Sequence, residues 1–376
     1  MSESNLFSAH FSIVPDPRLD RQKRHDLLDV LAIAICAVLC GADAWTEVEE
    51  FGKARADWLR TFLKLENGIP SHDTFGRVFA ALDTAALQEA FAAWTQSVAG
   101  LLTGVIAIDG KTVRRSHDRA NNKAAIHMVS AWGQANGLVL GQIKVDDKSN
   151  EITAIPKLLE QLDVRGCIVT IDAMGCQTNI AKTIVHRGGD YLLAVKGNQE
   201  TLYDDIVRHF TDLDKNDCDY HESIEKDHGR IETRQCWVSS DIGGIGNPGQ
   251  WHALHAVAMV RSTRQIADDV STETRYFITS ATHGAAKRLA EHVRAHWSIE
   301  NNLHWVLDVA FNEDQSRVRI GNAAQNFTLI RHLALNILKN DKTNKRGIKA
   351  KRKRAGWDNQ YLVHLLKNAY DGDGKL

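Results

Sequence analysis

The chain has few cysteines and no spacing among them that would bind metal or build a disulfide framework: the six, at positions 36, 40, 167, 176, 218 and 236, contain no Cys-x-x-Cys pair. Most lie in apolar or strand-like runs, where a free thiol behaves as a small hydrophobe. A reducing, cytoplasmic compartment is therefore expected. Long apolar runs are also missing. The most hydrophobic segment, Val30 to Ala42, spans 13 residues between Asp29 and Asp43. That is short of the roughly 20 needed to cross a bilayer, and its position and flanks are wrong for a cleaved signal. No glycine-rich loop precedes Gly110-Lys111-Thr112, no serine-centred nucleophile elbow occurs, and no histidine and cysteine pattern fits zinc. These absences argue against ATP use, acyl-transfer chemistry of the elbow type and a zinc centre. Nor is there an excess of one charge, the formal net charge being -1.

What is present is a chain of 376 residues, 43% hydrophobic and 25% charged. This is enough for a substantial core and for one main domain with attachments, and it excludes disordered and fibrous classes. The near-zero charge hides a polarity. Residues 1–100 carry 9 Lys or Arg against 14 Asp or Glu, whereas residues 317–354 carry 12 against the single acid Asp341.

Residues 1–26 read as an arm with a basic cluster at Arg18, Arg21, Lys23, Arg24 and His25. The continuous apolar run from Leu27 to Cys40 predicts a buried helix. Ser71 and Asp83 are placed to start two more, the second with Leu87, Phe91 and Trp94 on its inner face. Residues 1–100 thus form a helical region that packs and positions, although a helix-turn-helix reader is compatible with it. At Leu101 the period changes. Strands are expected at 105–108, 126–132 and 138–145, the last two joined through Asn136-Gly137, followed by helix 151–162, strand 167–171, helix 179–185 and strand 191–195. That order implies an α/β fold, a mixed sheet flanked by helices. Four further strands between 219 and 281 read as a β-rich insertion. A helix from about Ala285 to Phe311 and another over 324–338 come next. The expected division is 1–100, 101–218, 219–281, 282–340 and a flexible basic tail, 341–376.

Three acids stand out. Apolar strands deliver Asp109, ahead of a glycine turn at Gly110, and Asp172, ahead of Ala173-Met174-Gly175; ligands collect at such strand ends. Glu300 recurs with Leu289, Val293, Trp297, Leu303 or His304, Leu307 and Phe311 at helical spacing, which puts it on the core-facing stripe. A carboxylate there needs a partner, either a metal or an ion pair with Arg294 or His296. Asp308 is a reserve candidate. Taken alone, each strand-end aspartate also fits a plain turn. Together the three acids suit divalent metals, with Asp109 bridging two ions, Asp172 on one and Glu300 on the other. Lys111, Arg114 and Arg115 are placed to offset phosphate charge beside them. The run Lys349, Lys351, Arg352, Lys353 and Arg354 reads as a sequence-blind phosphate contact or as a solvated face.

The segments IAIDGKTVRRS, IVTIDAMGCQ and HWSIENNLHWVLDVAFNED, with NGIPSHDTFGRVF near the N-terminus, resemble the DDE transposases of bacterial insertion sequences, specifically the ISAs1 family within the IS4-like group, with its associated N-terminal domain. The resemblance implies a ribonuclease-H-like core with Asp109, Asp172 and Glu300 as the catalytic, metal-holding acids. It also implies Mg2+, with Mn2+ as substitute, and DNA partners: the element's terminal inverted repeats and a target. A homodimer in the synaptic complex and a cytoplasmic, nucleoid-associated protein are expected with it. The wider group has a tyrosine, an arginine and a basic residue around its glutamate, where this chain has Val293, His296 and Leu307. Arg294, His304 and Arg317 are the candidate substitutes for those phosphate contacts. The competing readings are a nuclease of the same core that hydrolyses without joining, and a catalytically silent DNA-binding protein.

Overall fold

Helix starts coincide with the caps that the sequence offers. In the computed structural model, the Asp26 carboxylate accepts from Leu28 N at 3.0 Å to open α1 (Leu27–Leu39). After α2 (Trp45–Ala54) and a single helical turn at Ala56–Leu59, Ser71 Oγ accepts from Thr74 N at 3.3 Å to open α3 (His72–Ala81). Asp83 accepts from Ala85 N and Ala86 N to open α4 (Thr84–Ala99). Each cap satisfies an amide that the first turn leaves bare. Almost all of α1 is buried, which is why its apolar run shows no polar face. The structure describes residues 9–20, 23–117, 124–146, 149–212, 217–227, 229–282 and 285–368; Arg21 of the basic arm and the end of the tail, 369–376, lie outside them.

The sheet begins with β1 (Gly104–Thr112), β2 (His127–Gly133) and β3 (Leu138–Lys144). Then come α5 (Glu151–Glu160), β4 (Cys167–Ile171), α6 (Thr178–His186), β5 (Asp190–Val195) and α7 (Glu200–Asp212). Strand β1 pairs antiparallel with β2 and parallel with β4, which is parallel to β5. The four later strands are β6 (Asp219–Asp227), β7 (Arg230–Ser239), β8 (Ala256–Ile266) and β9 (Asp269–Thr279). They continue the same sheet through an antiparallel β5–β9 pairing. The order is β3-β2-β1-β4-β5-β9-β8-β7-β6, a mixed sheet of the α/β class extended on one side by an antiparallel meander.

One detail of β1 differs from the sequence reading. The strand does not stop at Ile108: Asp109, Gly110, Lys111 and Thr112 pair with Ser130, Val129, Met128 and His127. Gly110 is therefore extended strand and not a turn. Its missing side chain has another cause, because a Cβ there would collide with the Glu151 carboxylate and the His127 imidazole. Those two groups hydrogen bond to each other at 2.6 Å.

Side-chain alternation along a strand decides which acids can meet. Ile106 and Ile108 enter the core under α5, α6 and α7. Ala107 packs on the opposite face, in the core shared by α1 to α4 and the C-terminal helices, and Asp109 has the same parity as Ala107. On β4, Val169 and Ile171 face the first core. Thr170 Oγ1 instead lies 3.0 Å from His296 Nδ1, and Asp172 has the same parity as Thr170.

The second face is covered by α8 (Ala286–His296), a π-helical turn at Glu300–His304, α9 (Trp305–Phe311) and α10 (Ala323–Asn340). Residues 323–338 of α10 are buried, Gln325 excepted. Trp45 packs between Phe79 and Phe327, ring centroids 4.7 and 4.5 Å away, tying α2 and α3 to α10. The amide of Asn336 accepts from Val139 N and donates to Val139 O, both at 2.8 Å, and so caps the edge strand β3.

The expected flexible tail is, over the described residues, two packed helices, α11 (Ile348–Trp357) and α12 (Asn359–Asn368). Lys351 and Arg352 are buried within it. The Lys351 ammonium donates to Leu338 O at 2.8 Å and Asp341 O at 2.6 Å. The Arg352 guanidinium donates to Val38 O at 2.9 Å, Ala42 O at 3.1 Å, Asp43 at 2.9 Å and Ala310 O. It also lies over the Phe311 ring. These contacts take both residues off the DNA-facing surface expected for them, while Lys349, Lys353 and Arg354 are exposed.

Candidate active site

Asp109, Asp172 and Glu300 line one cleft of about 200 Å3 on the α8 face of the sheet. Asp109 sits in β1 with its side chain 19% exposed. Burial, then the charges of Glu300, Asp172 and Glu151, push its carboxyl up to about 7, against a backbone hydrogen bond from Gly110 that favours the ionised form. Asp172 comes directly after β4, and its Oδ1 accepts from Met174 N at 3.1 Å and Gly175 N at 3.4 Å, capping a 3-10 turn at Ala173–Gly175. Glu300 opens the π-turn.

The helical stripe expected to put Glu300 in the core is interrupted there. Leu289, Leu303, Leu307 and Phe311 are buried, but Trp297 is exposed and the Glu300 side chain is 52% exposed, turned into the cleft. It has no ion pair with Arg294, which binds Glu225 on β6 instead. A π-turn adds backbone to the helix and shifts the register of the residues beyond it, and such turns are frequent at functional sites.

His304, at the other end of the π-turn, is only 5% exposed. It is closed off from a DNA surface and turned toward the acids. Its Nδ1 is 3.5 Å from Asp109 Oδ2 and 3.6 Å from Glu300 Oε2. Burial and the nearby Lys111 charge push its imidazole down to about 4. Asp109, Glu300 and His304 offer ligand atoms within 4.8 Å of one another. This set of two carboxylates and an imidazole fits a divalent cation, whose charge would offset the burial and the neighbouring acids that push the Asp109 carboxyl up.

Lys111, expected on phosphate, is committed elsewhere. Its ammonium lies 2.8 Å from Asp308, 3.1 Å from Glu313 and 3.2 Å from Asp314. Burial pulls it down, but those carboxylates outweigh it and hold it above the usual lysine range. Glu313 in turn lies 3.6 Å from Arg331 of α10, both 1% exposed. Arg114 is exposed beside Asp314 at 3.2 Å, the Arg115 carbonyl accepts from Arg319, and Arg317 is exposed.

Two cleft residues escape a reading of the sequence, Lys196 just past β5 and Arg275 of β9, and Trp297, expected on the core-facing stripe, lines the cleft with them. The Arg275 guanidinium lies 4.6 Å over the Trp297 ring and pairs with Glu273 at 2.8 Å. Lys196 has a signal, since it succeeds the third parallel strand as Asp172 succeeds the second. Arg275 has none, because nothing local says that β9 pairs with β5.

Comparison with known proteins gives a consistent picture. Residues 101–337 match the family model described as the transposase DDE domain, and residues 8–95 match the one described as DDE_Tnp_1-associated. The chain is similar to the "H repeat-associated putative transposase YhhI" of Escherichia coli (strain K12), 43% identical over 367 residues, covering 95% of this chain and 96% of that one. It is also similar to the "Putative transposase YncI" of Escherichia coli O157:H7, 44% identical over 364 residues, covering 95% and 93%. Among solved structures, a piggyBac transposase synaptic complex with hairpin DNA aligns with a TM-score of 0.45 at 9% identity, covering 99% of this chain and 79% of that one.

Proposed function

The chain belongs to the transposase DDE domain family, and on that premise we propose that Asp109, Asp172 and Glu300 are its catalytic acids. The protein is a DNA transposase, an enzyme of the DDE type. The observation that carries the assignment of residues is their shared cleft on one face of the sheet. The family's chemistry uses a divalent metal. Asp109, Asp172 and Glu300 would hold Mg2+, or Mn2+ in its place, and such cations would activate the attacking oxygen and stabilise the leaving one in an in-line displacement.

The chain's own residues position the phosphodiester and balance its charge. The Asp109 carboxyl, pushed up to about 7, would lose to solvent whatever proton it holds when a cation binds. Lys196 and Arg275 face the same cleft and offset the phosphate's negative charge, and the exposed Trp297 offers a ring face to an unpaired base. The exposed Arg114, Arg115 and Arg317, and the exposed Lys349, Lys353 and Arg354 of α11, contact the DNA backbone. Water first attacks the phosphodiester at the element end, breaking the bond to the flanking strand and leaving a 3'-hydroxyl. That hydroxyl then attacks target DNA. The substrates are the element's terminal inverted repeats and a target duplex, and two copies of the chain pair two ends. The working division is 1–100 for positioning, 101–218 and 282–340 for the catalytic core, 219–281 as its β-rich extension and 341–376 as the basic end. No helix among the described residues is long and apolar enough to cross a membrane, and we place the enzyme in the cytoplasm, on nucleoid DNA when engaged.

The test is incubation of purified protein with end-bearing DNA and Mg2+, reading nicked and joined products on a sequencing gel. Asp109→Asn, Asp172→Asn and Glu300→Gln should each retain end binding and lose cleavage by about three orders of magnitude or more. Undiminished cleavage in any one of them removes that residue from the centre.

A further inference from the structure

The three acids leave one buried group beside them unexplained. His304 is only 5% exposed, so it cannot be a surface phosphate contact, yet no hydrogen bond accounts for its burial. Nε2 has no partner among the described residues. Nδ1 points between two carboxylates at 3.5 and 3.6 Å, longer than a good N–H···O bond to either. A buried imidazole this poorly matched to its neighbours costs free energy unless something else sits in the gap.

The spacing says what that is. Around a cation with ligands at roughly 2.1 Å, adjacent ligand atoms are about 3.0 Å apart and opposite ones about 4.2 Å. The two Nδ1 distances fall between those limits, and the full set of three atoms, within 4.8 Å, closes on a cation by shifts of a few tenths of an ångström. Asp172 is held apart from this set by its cap on the Ala173–Gly175 turn. The π-turn puts Glu300 and His304 at its two ends, so one backbone feature fixes both donors. Lys111 would repel a cation here, but Asp308, Glu313 and Asp314 surround its ammonium.

We propose that His304, through Nδ1, is a ligand to the divalent cation held by Asp109 and Glu300, so that this position is a mixed nitrogen and oxygen site while Asp109 and Asp172 serve an all-oxygen one. The proposal rests on the reading of Asp109 and Glu300 as metal ligands. An imidazole ligand shifts preference from Mg2+ toward Mn2+ and the later divalent metals. The two positions therefore differ in selectivity, and the His304 position fills first in Mn2+.

The experiment is Mn2+ titration of the full chain, with free Mn2+ read by electron paramagnetic resonance and directly bound nitrogen read by 14N spin-echo modulation. The parent protein should bind two ions and show coordinated 14N. His304→Gln should lose the 14N signal and weaken one of the two sites about tenfold or more, with unchanged circular dichroism. Asp109→Asn should abolish both sites. Mn2+ binding that ignores Asp109→Asn overturns the reading of the acids. Binding that depends on Asp109 and Glu300 but shows no 14N coupling in the parent, or coupling that survives His304→Gln, overturns the role of His304 alone. The parent spectrum needs no variant to fold.

Discussion

Burial and neighbouring charge act together on Asp109. Its carboxyl, pushed up to about 7 by burial and by three neighbouring acids, holds a proton in the folded state that the unfolded chain releases near the ordinary value of 3.8. A group whose folded pKa is raised contributes stability that is complete below the unfolded value and is lost as pH rises through the folded one. Asp109→Asn does not titrate, so without metal its melting temperature should gain on the parent's from pH 4 to pH 7 and then hold a constant difference. Differential scanning fluorimetry in chelator reads this directly, and a difference independent of pH would refute the assignment. Asp109 is legible in the sequence because an apolar run ending in an acid is a local signal. Its extended neighbour Gly110 reads wrongly as a turn, since the reason for the glycine is Glu151, 41 positions away.

For the elements, the segment from α8 through α9 shows where periodicity succeeds and where it fails. Spacing locates the helix and its buried residues Leu289, Leu303, Leu307 and Phe311. It cannot show that a π-turn intervenes, with Glu300 turned into the cleft at one end and His304 buried at the other. Nor can it show what holds α9 to β1. That is the Lys111 ammonium with Asp308, Glu313 and Asp314, backed by Arg331. Removing one member of such a set strands the others without compensation. Glu313→Ala should cost about 3–5 kcal/mol in urea unfolding, whereas an effect under about 1 kcal/mol would mean that the cluster is solvated and dispensable.

Across the whole molecule, the basic C-terminal run divides in two. Composition alone groups Lys349, Lys351, Arg352, Lys353 and Arg354, because a count of charges carries no information on which face of a helix is covered. Arg352 joins α11 to α1 and α9 through four carbonyl and carboxylate contacts, a geometry that needs the planar fork of arginine. Arg352→Ala should lose about 3–5 kcal/mol of stability, and Arg352→Lys should recover little of it. By contrast, a Lys349, Lys353 and Arg354 triple alanine variant should lose only about 1–2 kcal/mol, through the contacts of Arg354 with Asp358 and the Tyr361 ring. It should also bind DNA with a shallower salt dependence, the slope of log K against log salt falling by about 2 to 3. Fluorescence anisotropy over a salt series measures this, and an unchanged slope would place the backbone contacts on another face.

The Asn336 amide that closes the β3 edge comes from a residue 197 positions beyond its partner Val139. During synthesis, the strands of the catalytic half leave the ribosome long before that amide exists. For that interval β3 presents an open row of peptide groups to any other nascent chain. Synthesis must therefore pass through α10 before this edge is covered, and a copy cut short ahead of α10 would leave a sticky fragment in place of a partial enzyme.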